Sequence, residues 1–354
     1  MKRMMSLLLV LLLLMSAALA EEAVEDAAVI IEDNTTITLS FVGDCTVGEQ
    51  YRYRGYEGGY CAKISKSGLD YPFSAVADLF AADDLTIANC EGCLTKRKPA
   101  TDKAMSLSAD PSFAAVFRLG NVDVCNVINN HAKDFGMDGW HDTIDALESE
   151  GIGYFGDEYV YMTEIKGVKI GILGITYPIR ENKMEKYMSR IAALKKEEGC
   201  TFVIASIHWG TEDSHAINGD QKKYGRKIID AGADLVYGHG SHTLLPIQYY
   251  KGKLIFYSTC NFTFGANANP KDKDTAVFQV TFTVNGDGTM QASHLSVLPC
   301  KQNMNADFRP YPVEDEAEKQ AIWAKVVFPE RSSLKSNLPE SFLTTGEADL
   351  AYEE

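Results

Sequence analysis

The sequence predicts an α/β domain built around a largely parallel sheet. Short apolar runs rich in Val, Ile and Phe alternate with segments of helical spacing from residue 35 to residue 300, and this alternation is typical of parallel strands connected by helices. The 354-residue chain contains 45% hydrophobic and 23% charged residues. That is a globular composition, which excludes disorder for most of the length.

Eight apolar runs are predicted to be strands, because they are rich in Val, Ile and Phe. They lie at residues 37–42, 85–88, 122–128, 168–175, 202–207, 235–237, 254–258 and 276–284. The turn sequence Asn285-Gly286-Asp287-Gly288 separates the last run from residues 290–297 and predicts an antiparallel hairpin.

Helices are predicted between these strands where apolar residues recur every three to four positions. The predicted helices lie at residues 72–82, 137–149, 184–198 and 221–231. Pro72 stands at the start of the first and Gly232 just after the last, as expected for a helix N-terminus and C-terminus.

The first 20 residues predict a secretory signal peptide. Lys2 and Arg3 precede an apolar run at residues 7–14, and Ala18-Leu19-Ala20 provides a small-x-small cleavage site. The alternative is an uncleaved anchor helix, since residues 4–20 carry no charge, but about 17 residues is the lower limit for spanning a membrane. We therefore expect a secreted or extracytoplasmic protein, anchored to the membrane only if the signal is retained.

Four regions follow from these patterns. Residues 1–20 are the signal peptide, residues 21–34 a mobile acidic leader, and residues 35–302 the main domain. Residues 303–354 form a C-terminal extension with one predicted helix at 313–327 and a polar, acidic tail from 329.

Charge and cysteine content limit the function. Acidic residues outnumber basic ones by 49 to 34, giving a net charge of −15, so a nucleic-acid partner is not expected. Eight cysteines in an exported chain leave the disulfide pairing open. A domain of this size can bury a core without disulfides, and if any pair forms we expect Cys61 with Cys93.

Polar residues that suit chemistry follow five of the predicted strands. They are, in chain order, Asp44, Glu91, Asn129-Asn130-His131, His208, and His239 with His242. Ligands of open α/β sheets bind beyond the carboxyl ends of the strands. We therefore expect these side chains to meet in one pocket.

Each of these residues alone has an ordinary structural explanation. Asp44 follows a glycine and fits a turn, Glu91 fits a solvated or helix-capping acid, and a single histidine such as His208 is more often packed than ligating. Together, carboxylates, an amide oxygen and imidazoles are ligands for divalent Mn, Fe or Zn. Two such ions about 3.5–4 Å apart can bind a phosphate and activate water, so the set predicts a site for one or two metal ions.

Six ordered motifs resemble the capsule-synthesis protein A (CapA) family, which is tied to poly-γ-glutamate capsule production in bacteria. They are Phe41-Val42-Gly43-Asp44, Asn89-x-Glu91, Asn129-Asn130-His131-Ala132-x-Asp134-x-Gly136, His208-Trp209-Gly210, Gly238-His239-x-x-His242 and Tyr257-Ser258-x-x-Asn261-Phe262. The family is similar to the calcineurin-like metallophosphoesterases, and the resemblance covers residues 38–299. It implies a four-layer α/β/β/α sandwich with a metal site over its inner sheets.

The resemblance also implies a role for each matched residue. Glu91 falls where metallophosphoesterases place the acid that bridges two metals. Asn130 and His131 match an Asn-His pair in which the Asn binds metal and the His protonates the leaving oxygen or steadies the phosphate. The implied metal ligands are Asp44, Glu91, Asn130, His208, His239 and His242, and the implied catalytic residue is His131.

Two departures from the metallophosphoesterase pattern bear on activity. Thr46 stands where that pattern has a histidine two residues after the first Asp, and Gly240 stands where a closer histidine would precede His242. With these changes, one metal is expected to be weakly held or absent, and hydrolytic competence does not follow automatically.

Two functions remain open from the sequence. The first is a secreted metal-dependent hydrolase of the phosphoesterase type, acting on a phosphoester or on a cell-envelope polymer during capsule synthesis. The second is a non-catalytic accessory that binds capsule polymer and assists its assembly or export. Either role would place the protein beside membrane-associated capsule synthesis machinery, while the substrate and the oligomeric state stay open.

Two further segments have equally ordinary alternatives. Residues 51–60 (YRYRGYEGGY) are aromatic and glycine-rich, and they predict either a loop that contacts substrate or a surface loop with packed tyrosines. Lys96-Arg97-Lys98 is a local basic run that suits either polyanion binding or, more simply, a solvated loop.

Overall fold

The computed structural model describes residues 35–100, 103, 105–175, 178, 180–286 and 288–350. The predicted signal peptide and acidic leader lie outside the described residues, as do residues 351–354 of the predicted tail. No helix in the described part of the chain is long and apolar enough to cross a membrane.

The strands are numbered in chain order. They are β1 (Thr35–Thr46), β2 (Glu49–Gln50), β3 (Leu85–Cys90), β4 (Cys93–Leu94), β5 (Leu107–Ala109), β6 (Val124–Asn126), β7 (Gly153–Phe155), β8 (Val160–Ile165), β9 (Val168–Ile175), β10 (Phe202–His208), β11 (Leu235–His239), β12 (Leu244–Tyr250), β13 (Lys253–Thr259), β14 (Asn261–Phe264), β15 (Asp274–Val284), β16 (Met290–Lys301), β17 (Tyr311–Pro312) and β18 (Glu347–Asp349).

The helices are numbered in the same way. They are α1 (Tyr60–Ser67), α2 (Ala77–Ala81), α3 (Ala115–Leu119), α4 (Gly136–Ser149), α5 (Glu181–Lys196), α6 (Gly219–Asp230), α7 (Glu316–Lys325) and α8 (Phe342–Thr345). The helix predicted at residues 72–82 is wrong as a single element. It divides into a 3-10 turn at Tyr71–Phe73 and the short α2, because Val76 leaves helical backbone geometry with φ −133°.

Two large mixed sheets form the centre of the domain. The first has the order β17-β16-β15-β1-β3-β6-β7, with β14 added to β1 and β18 added to β16, and the second has the order β12-β13-β11-β10-β9-β8. β1, β3, β6 and β7 run parallel, as do β9, β10, β11 and β13. The predicted hairpin at 276–297 is the antiparallel pair of β15 and β16.

The two sheets pack face to face through alternating apolar residues. Ile37, Leu39 and Phe41 of β1 share one buried cluster with residues of β9 and β10, as the period-2 geometry of a strand requires. The rings of Phe202 and Phe282 meet across the sheets, with 4.7 Å between their centroids.

Helices cover both outer faces of the paired sheets. Trp140, Ile144 and Leu147 of α4 pack on the outer face of the first sheet. Residues of α5 and α6, including Ile191 and Ile228, pack on the outer face of the second. The four-layer α/β/β/α sandwich that the resemblance implied is therefore confirmed.

Residues 303–350 pack onto both sheets. β17 and β18 pair with β16, and Phe342, Ala348 and Leu350 are buried in the core between the sheets, although the sequence predicted a polar tail from residue 329. Beside the second sheet, the backbone N–H groups of Ile247 and Tyr249 on β12 donate to carbonyls of this segment. The segment therefore covers a strand edge that would otherwise be open to pairing with another chain.

Candidate metal centre

Strands from both sheets bring the candidate residues to the same edge of the sandwich. Asp44 lies near the end of β1, beside Asn89 on the parallel β3, and Glu91 follows β3 directly. His208 and His239 end the neighbouring parallel strands β10 and β11 and are paired in register. The carboxyl ends of the two sheets thus face a common point, as the sequence predicted.

Two groups of three ligand-type side chains form at this point. Within each group, one ligand atom per residue lies within 4.8 Å of the others. The groups are Asp44 with His208 and His239, here called the histidine-rich triad, and Asp44 with Glu91 and His242, here called the oxygen-rich triad.

Asp44 belongs to both triads and presents a different oxygen to each. Its Oδ1 lies 3.3 Å from Nδ1 of His239 and 3.7 Å from Nδ1 of His208. Its Oδ2 lies 3.4 Å from Nδ1 of His242 and accepts a hydrogen bond from the backbone N–H of Gly240 at 3.0 Å. In this arrangement Asp44, and not Glu91, is the carboxylate shared by the two groups, which differs from the role implied by resemblance.

The histidine-rich triad is fully enclosed. Asp44 and His239 have no exposed surface and His208 is 4% exposed. Nδ1 of His239 lies 3.0 Å from Nδ1 of His208, while its Nε2 lies 3.0 Å from Oγ of Ser206. Ser206 therefore fixes the ring of His239 with Nδ1 directed at Asp44, an arrangement typical of ligating histidines.

The oxygen-rich triad contains an unpaired buried carboxylate. Glu91 is 2% exposed, and neither of its carboxylate oxygens has a hydrogen-bond partner among the described residues. Burying an unpaired carboxylate is costly, so this residue fits a site that holds a cation. His242, another member of the oxygen-rich triad, adopts left-handed backbone geometry with φ 58°, which is uncommon outside glycine.

The electrostatics of the centre favour a positive charge. Burial, reinforced by the charge of Asp44, raises the pKa of Glu91 to about 7. Burial would lower the pKa of His242, but Glu91 and Asp44 outweigh it and raise that pKa to about 10. Burial would raise the pKa of Asp44, yet its bonds to His239 and His242 hold that pKa well below its ordinary value.

His208 has the opposite character. Burial lowers the pKa of its imidazole to about 3 against the attraction of Asp44. Its ring is therefore neutral at physiological pH and keeps a lone pair for a metal. Neutral His208 and the unpaired oxygens of Glu91 fit the divalent ions that the sequence predicted, whereas His242 must release its proton when it binds one.

His131 lies beside the triads but belongs to neither. Its Nδ1 is 2.7 Å from Oδ2 of the buried Asp134, whose carboxylate also accepts hydrogen bonds from Lys103 and from the backbone of Leu107. Nδ1 is thus occupied, and Nε2 is the ring nitrogen left for a substrate, which fits the role of proton donor.

Asn130 is the one predicted ligand that is exposed in the described structure. Its neighbour Asn129 is buried. Asn129 donates to Oδ1 of Asn89 at 3.1 Å, and Asn89 in turn donates to Oδ1 of Asp44 at 2.7 Å. The buried Asn129 is thus linked to the shared carboxylate through Asn89, and ligation by Asn130 stays a prediction.

The glycine at position 240 has a local explanation. It has φ 101°, and a Cβ there would lie 2.8 Å from the ring of His208. A histidine at this position would therefore displace His208. Thr46, the other departure, is buried, and its hydroxyl has no partner in the described part of the chain.

A cavity of about 570 Å³ opens over the oxygen-rich triad. Glu91, His131 and His242 contribute to its lining, and Tyr53 and Tyr56 line it while keeping 50% and 64% of their surface exposed. Loop residues 51–60 thus reach the site, as one of the two interpretations of that segment expected. Acidic side chains also line the cavity: Glu49, Glu212, Asp213 and Asp272.

The cysteines are free in the structure. All eight lie within the described residues, and all are buried except the half-buried Cys61. Cys61 and Cys93 are not bonded to each other. Cys93 instead directs its thiol at the backbone oxygen of Ala132, 3.2 Å away, next to His131.

The chain resembles known capsule proteins over most of its length. Residues 38–266 match the family described as bacterial capsule synthesis protein PGA_cap. The PGA biosynthesis protein CapA of Bacillus subtilis is 28% identical over 308 residues, covering 80% of this chain and 76% of that protein. The capsule biosynthesis protein CapA of Bacillus anthracis is 25% identical over 324 residues, covering 83% of this chain and 76% of that protein.

One solved structure is a more distant match. A hypothetical protein from Thermus thermophilus aligns with 75% of this chain and 99% of its own at 16% identity, with a TM-score of 0.45. The family match, in contrast, spans more than half of the chain and includes every candidate ligand described above. The chain therefore belongs to the bacterial capsule synthesis protein PGA_cap family.

Proposed function

We propose that this protein acts outside the cytoplasm in poly-γ-glutamate capsule or cell-envelope polymer synthesis, as a metal-dependent hydrolase of the phosphoesterase type. The extracytoplasmic location rests on the signal sequence at residues 1–20. The role in capsule synthesis rests on family membership and on the capsule functions named for the two Bacillus relatives.

The observation that supports hydrolase activity is that the two triads share Asp44. One oxygen of Asp44 faces His239 and the other faces His242, so a single carboxylate could contact two ions. The buried, unpaired oxygens of Glu91 support the same interpretation. Bound divalent ions would act as Lewis acids and lower the pKa of water at the site.

The remaining chemistry comes from this chain's own side chains. His208, His239 and Asp44 would hold one ion, and Asp44, Glu91 and His242 the other. His131, held by Asp134 at Nδ1, would, when both ring nitrogens carry a proton, donate the proton on Nε2 to the leaving atom, which is an oxygen in a phosphoester and a nitrogen in the amide of poly-γ-glutamate. The aromatic side chains at the cavity mouth would contact the substrate and help to exclude water.

A non-catalytic accessory role has one supporting observation. Thr46 stands in place of a histidine, and Asn130 is exposed. Each triad therefore offers three His, Asp or Glu ligands among the described residues, and so small a set would hold an ion more weakly than a larger one. Direct polyanion binding is less well supported. Arg97 of the basic run pairs with Asp142 at 2.9 Å and Lys96 pairs with Asp110 at 3.4 Å, so their charges are already balanced.

Metal analysis combined with a phosphodiesterase assay tests the proposal. The chain from residue 21 onward would be purified, loaded with Mn²⁺, Fe²⁺ or Zn²⁺, and assayed with bis(p-nitrophenyl) phosphate and with poly-γ-glutamate. We expect bound metal and hydrolysis of at least one substrate, and His208→Ala should lower the metal content and abolish the hydrolysis. Metal without turnover would favour the accessory role, and a protein that binds no divalent ion would refute the metal centre.

A further inference from the structure

We infer that Asn261 is a further metal ligand, completing the oxygen-rich triad with its amide oxygen and making the two metal positions chemically unlike. The inference rests on the metal centre proposed above. It adds a residue to which neither the motif matching nor the comparisons give a role.

The first support is the position of Asn261 in the sheet. It opens β14, which runs parallel to the end of β1, and it is paired in register with Asp44. Asn261 is 1% exposed and lines the cavity over the triads. A buried amide beside a shared carboxylate is therefore built into the fold at this point.

The second support is the geometry of the amide oxygen. Oδ1 of Asn261 lies 2.7 Å from Nδ1 of His242, the same nitrogen that lies 3.4 Å from Oδ2 of Asp44. Two oxygens and one nitrogen of ligand type thus converge. Glu91, with both of its oxygens unpaired among the described residues, belongs to the same group.

The third support is the backbone that holds these side chains. His242 and Cys260, the residue before Asn261, both adopt left-handed geometry, with φ 58° and 67°. Two contacts keep these residues in the strained geometry. The thiol of Cys260 lies 3.2 Å from the carbonyl oxygen of His242. The backbone N–H of Asp44, on β1, donates to the carbonyl of Cys260 at 2.8 Å. Strained residues held by their surroundings cluster at functional sites.

Gly43 makes this close approach of β14 to β1 feasible. A Cβ at position 43 would lie 2.1 Å from the carbonyl oxygen of Cys260, so a larger residue would push Asn261 away from Asp44. The motif Gly43-Asp44 thus serves the position of Asn261 as well as that of Asp44.

The added ligand gives the two positions different preferences. The histidine-rich triad offers two imidazoles and one carboxylate oxygen, a set that suits Zn²⁺. The oxygen-rich triad with Asn261 offers two carboxylates, an amide oxygen and one imidazole, and oxygen ligands suit Mn²⁺ or Mg²⁺ better. The protein should therefore hold a mixed pair, with the harder ion at the oxygen-rich position.

The alternative role for Asn261 is to orient His242 by accepting its Nδ1–H. The two roles predict different losses of Mn²⁺ and Zn²⁺ affinity when the amide is removed. Loss of an oxygen ligand lowers Mn²⁺ affinity more than Zn²⁺ affinity, whereas misplacing an imidazole lowers Zn²⁺ affinity at least as much. The ratio of the two affinities therefore separates ligation from positioning.

The test is metal titration of the full chain from residue 21, wild type against Asn261→Ala. One equivalent of Zn²⁺ is added first, and the second position is then titrated with Mn²⁺ by electron paramagnetic resonance or with Zn²⁺ by calorimetry. In Asn261→Ala we expect Mn²⁺ affinity at the second position to fall about 10- to 100-fold, Zn²⁺ affinity there to fall less, and the first Zn²⁺ to bind as in wild type. The matched control is Asn267→Ala, an exposed asparagine on the same cavity wall.

The outcomes distinguish this inference from the proposed function. A wild-type chain that binds no ion overturns the metal centre itself. A wild-type chain that binds two ions, with unchanged Mn²⁺ affinity or an unchanged Mn²⁺ to Zn²⁺ ratio in Asn261→Ala, overturns only the role of Asn261. If that variant does not fold, Asn261→Asp should keep Mn²⁺ affinity at or above the wild-type level, and a tenfold loss there contradicts ligation.

Discussion

Nδ1 of His131 lies 2.7 Å from Oδ2 of Asp134. The carboxylate of Asp134 is buried and is held in place by Lys103 and by the backbone N–H of Leu107. An acceptor at Nδ1 fixes the proton on that nitrogen and directs Nε2 to the cavity that His131 helps to line. The pair thus sets the ring for proton transfer without contributing to either triad.

Replacement of His131 should therefore reduce turnover and spare the metal. We expect His131→Gln to lower kcat for bis(p-nitrophenyl) phosphate about 10²- to 10⁴-fold, the usual contribution of general acid catalysis, with unchanged metal content. Asp134→Asn should lower kcat in the same direction, because an amide cannot hold the ring as a carboxylate does. His141→Asn, on the exposed face of α4, is the control, and loss of metal in His131→Gln would refute this division of roles.

The shared position of Asp44 predicts an asymmetry between the two buried carboxylates. Asp44→Asn should reduce binding at both positions, because its two oxygens face different triads. Glu91→Gln should weaken only the oxygen-rich position, since Glu91 belongs to that group alone. Metal stoichiometry by mass spectrometry, with Asp138→Asn as the exposed control, checks this. Equal losses in the two variants would show that Glu91 also serves both ions.

The convergence of the candidate residues could be predicted because it depends on strand direction alone. Asp44, His208 and His239 each lie at the end of a parallel strand, and the apolar runs before them are visible in the sequence. The sharing of Asp44 by the two triads could not be predicted, because it depends on the direction in which the side chain of Asp44 points between the two sheets. The exposure of Asn130 and the burial of Asn129 could not be predicted either, because they depend on a turn whose direction the sequence does not specify.

Two strands, β12 and β14, could not be predicted from the sequence for physical reasons. β12 contains Pro246, which argues against a strand, yet β12 lies at the edge of its sheet, where proline is tolerated. β14 is four residues long and follows β13 after a single strained residue, Cys260. Because so short a run does not indicate a strand, the sequence places Asn261 in a motif but gives it no role.

The aromatic rim of the cavity should contribute to substrate binding. Tyr56 is 64% exposed and lines the cavity over the triads, so we expect Tyr56→Ala to raise KM for the polymer substrate with little change in kcat. Tyr56→Phe keeps the ring and should behave as wild type. A fall in kcat at constant KM for Tyr56→Ala would contradict a binding role, and steady-state kinetics with poly-γ-glutamate separate the two.

The cysteines should not be needed as disulfides for stability. A domain with this much buried apolar surface can fold without cross-links, so a reductant should change the free energy of unfolding by less than about 2 kcal/mol. In the native protein a thiol reagent should modify Cys61 ahead of the buried thiols, and all eight after denaturation. A larger stability loss on reduction, measured by urea unfolding, would show that disulfides form in the protein and stabilise it.

Asp83 predicts a pH dependence of stability away from the metal centre. Burial, together with the charges of Asp123 and Asp84, raises the pKa of its carboxyl to about 6 from the ordinary 3.8. One of its oxygens accepts from Thr86 at 2.7 Å, and the other is buried without a partner among the described residues. The folded protein therefore holds this proton more tightly than the unfolded chain does.

The direction in which stability changes with pH follows from the linkage between proton binding and folding. Below pH 3.8 Asp83 is protonated in both states, and between pH 3.8 and about 6 the unfolded chain ionises before the folded protein does, so stability falls across this window. Asp83→Asn removes this loss while keeping an acceptor for Thr86, so it should stabilise the protein at pH 8 by about 1–2 kcal/mol, a value reduced for partial exposure. At pH 4 it should have almost no effect. Urea unfolding at both pH values, with the exposed Asp78→Asn as control, measures the difference, and a variant equally stabilised at pH 4 and pH 8 would rule out titration of Asp83 as the cause.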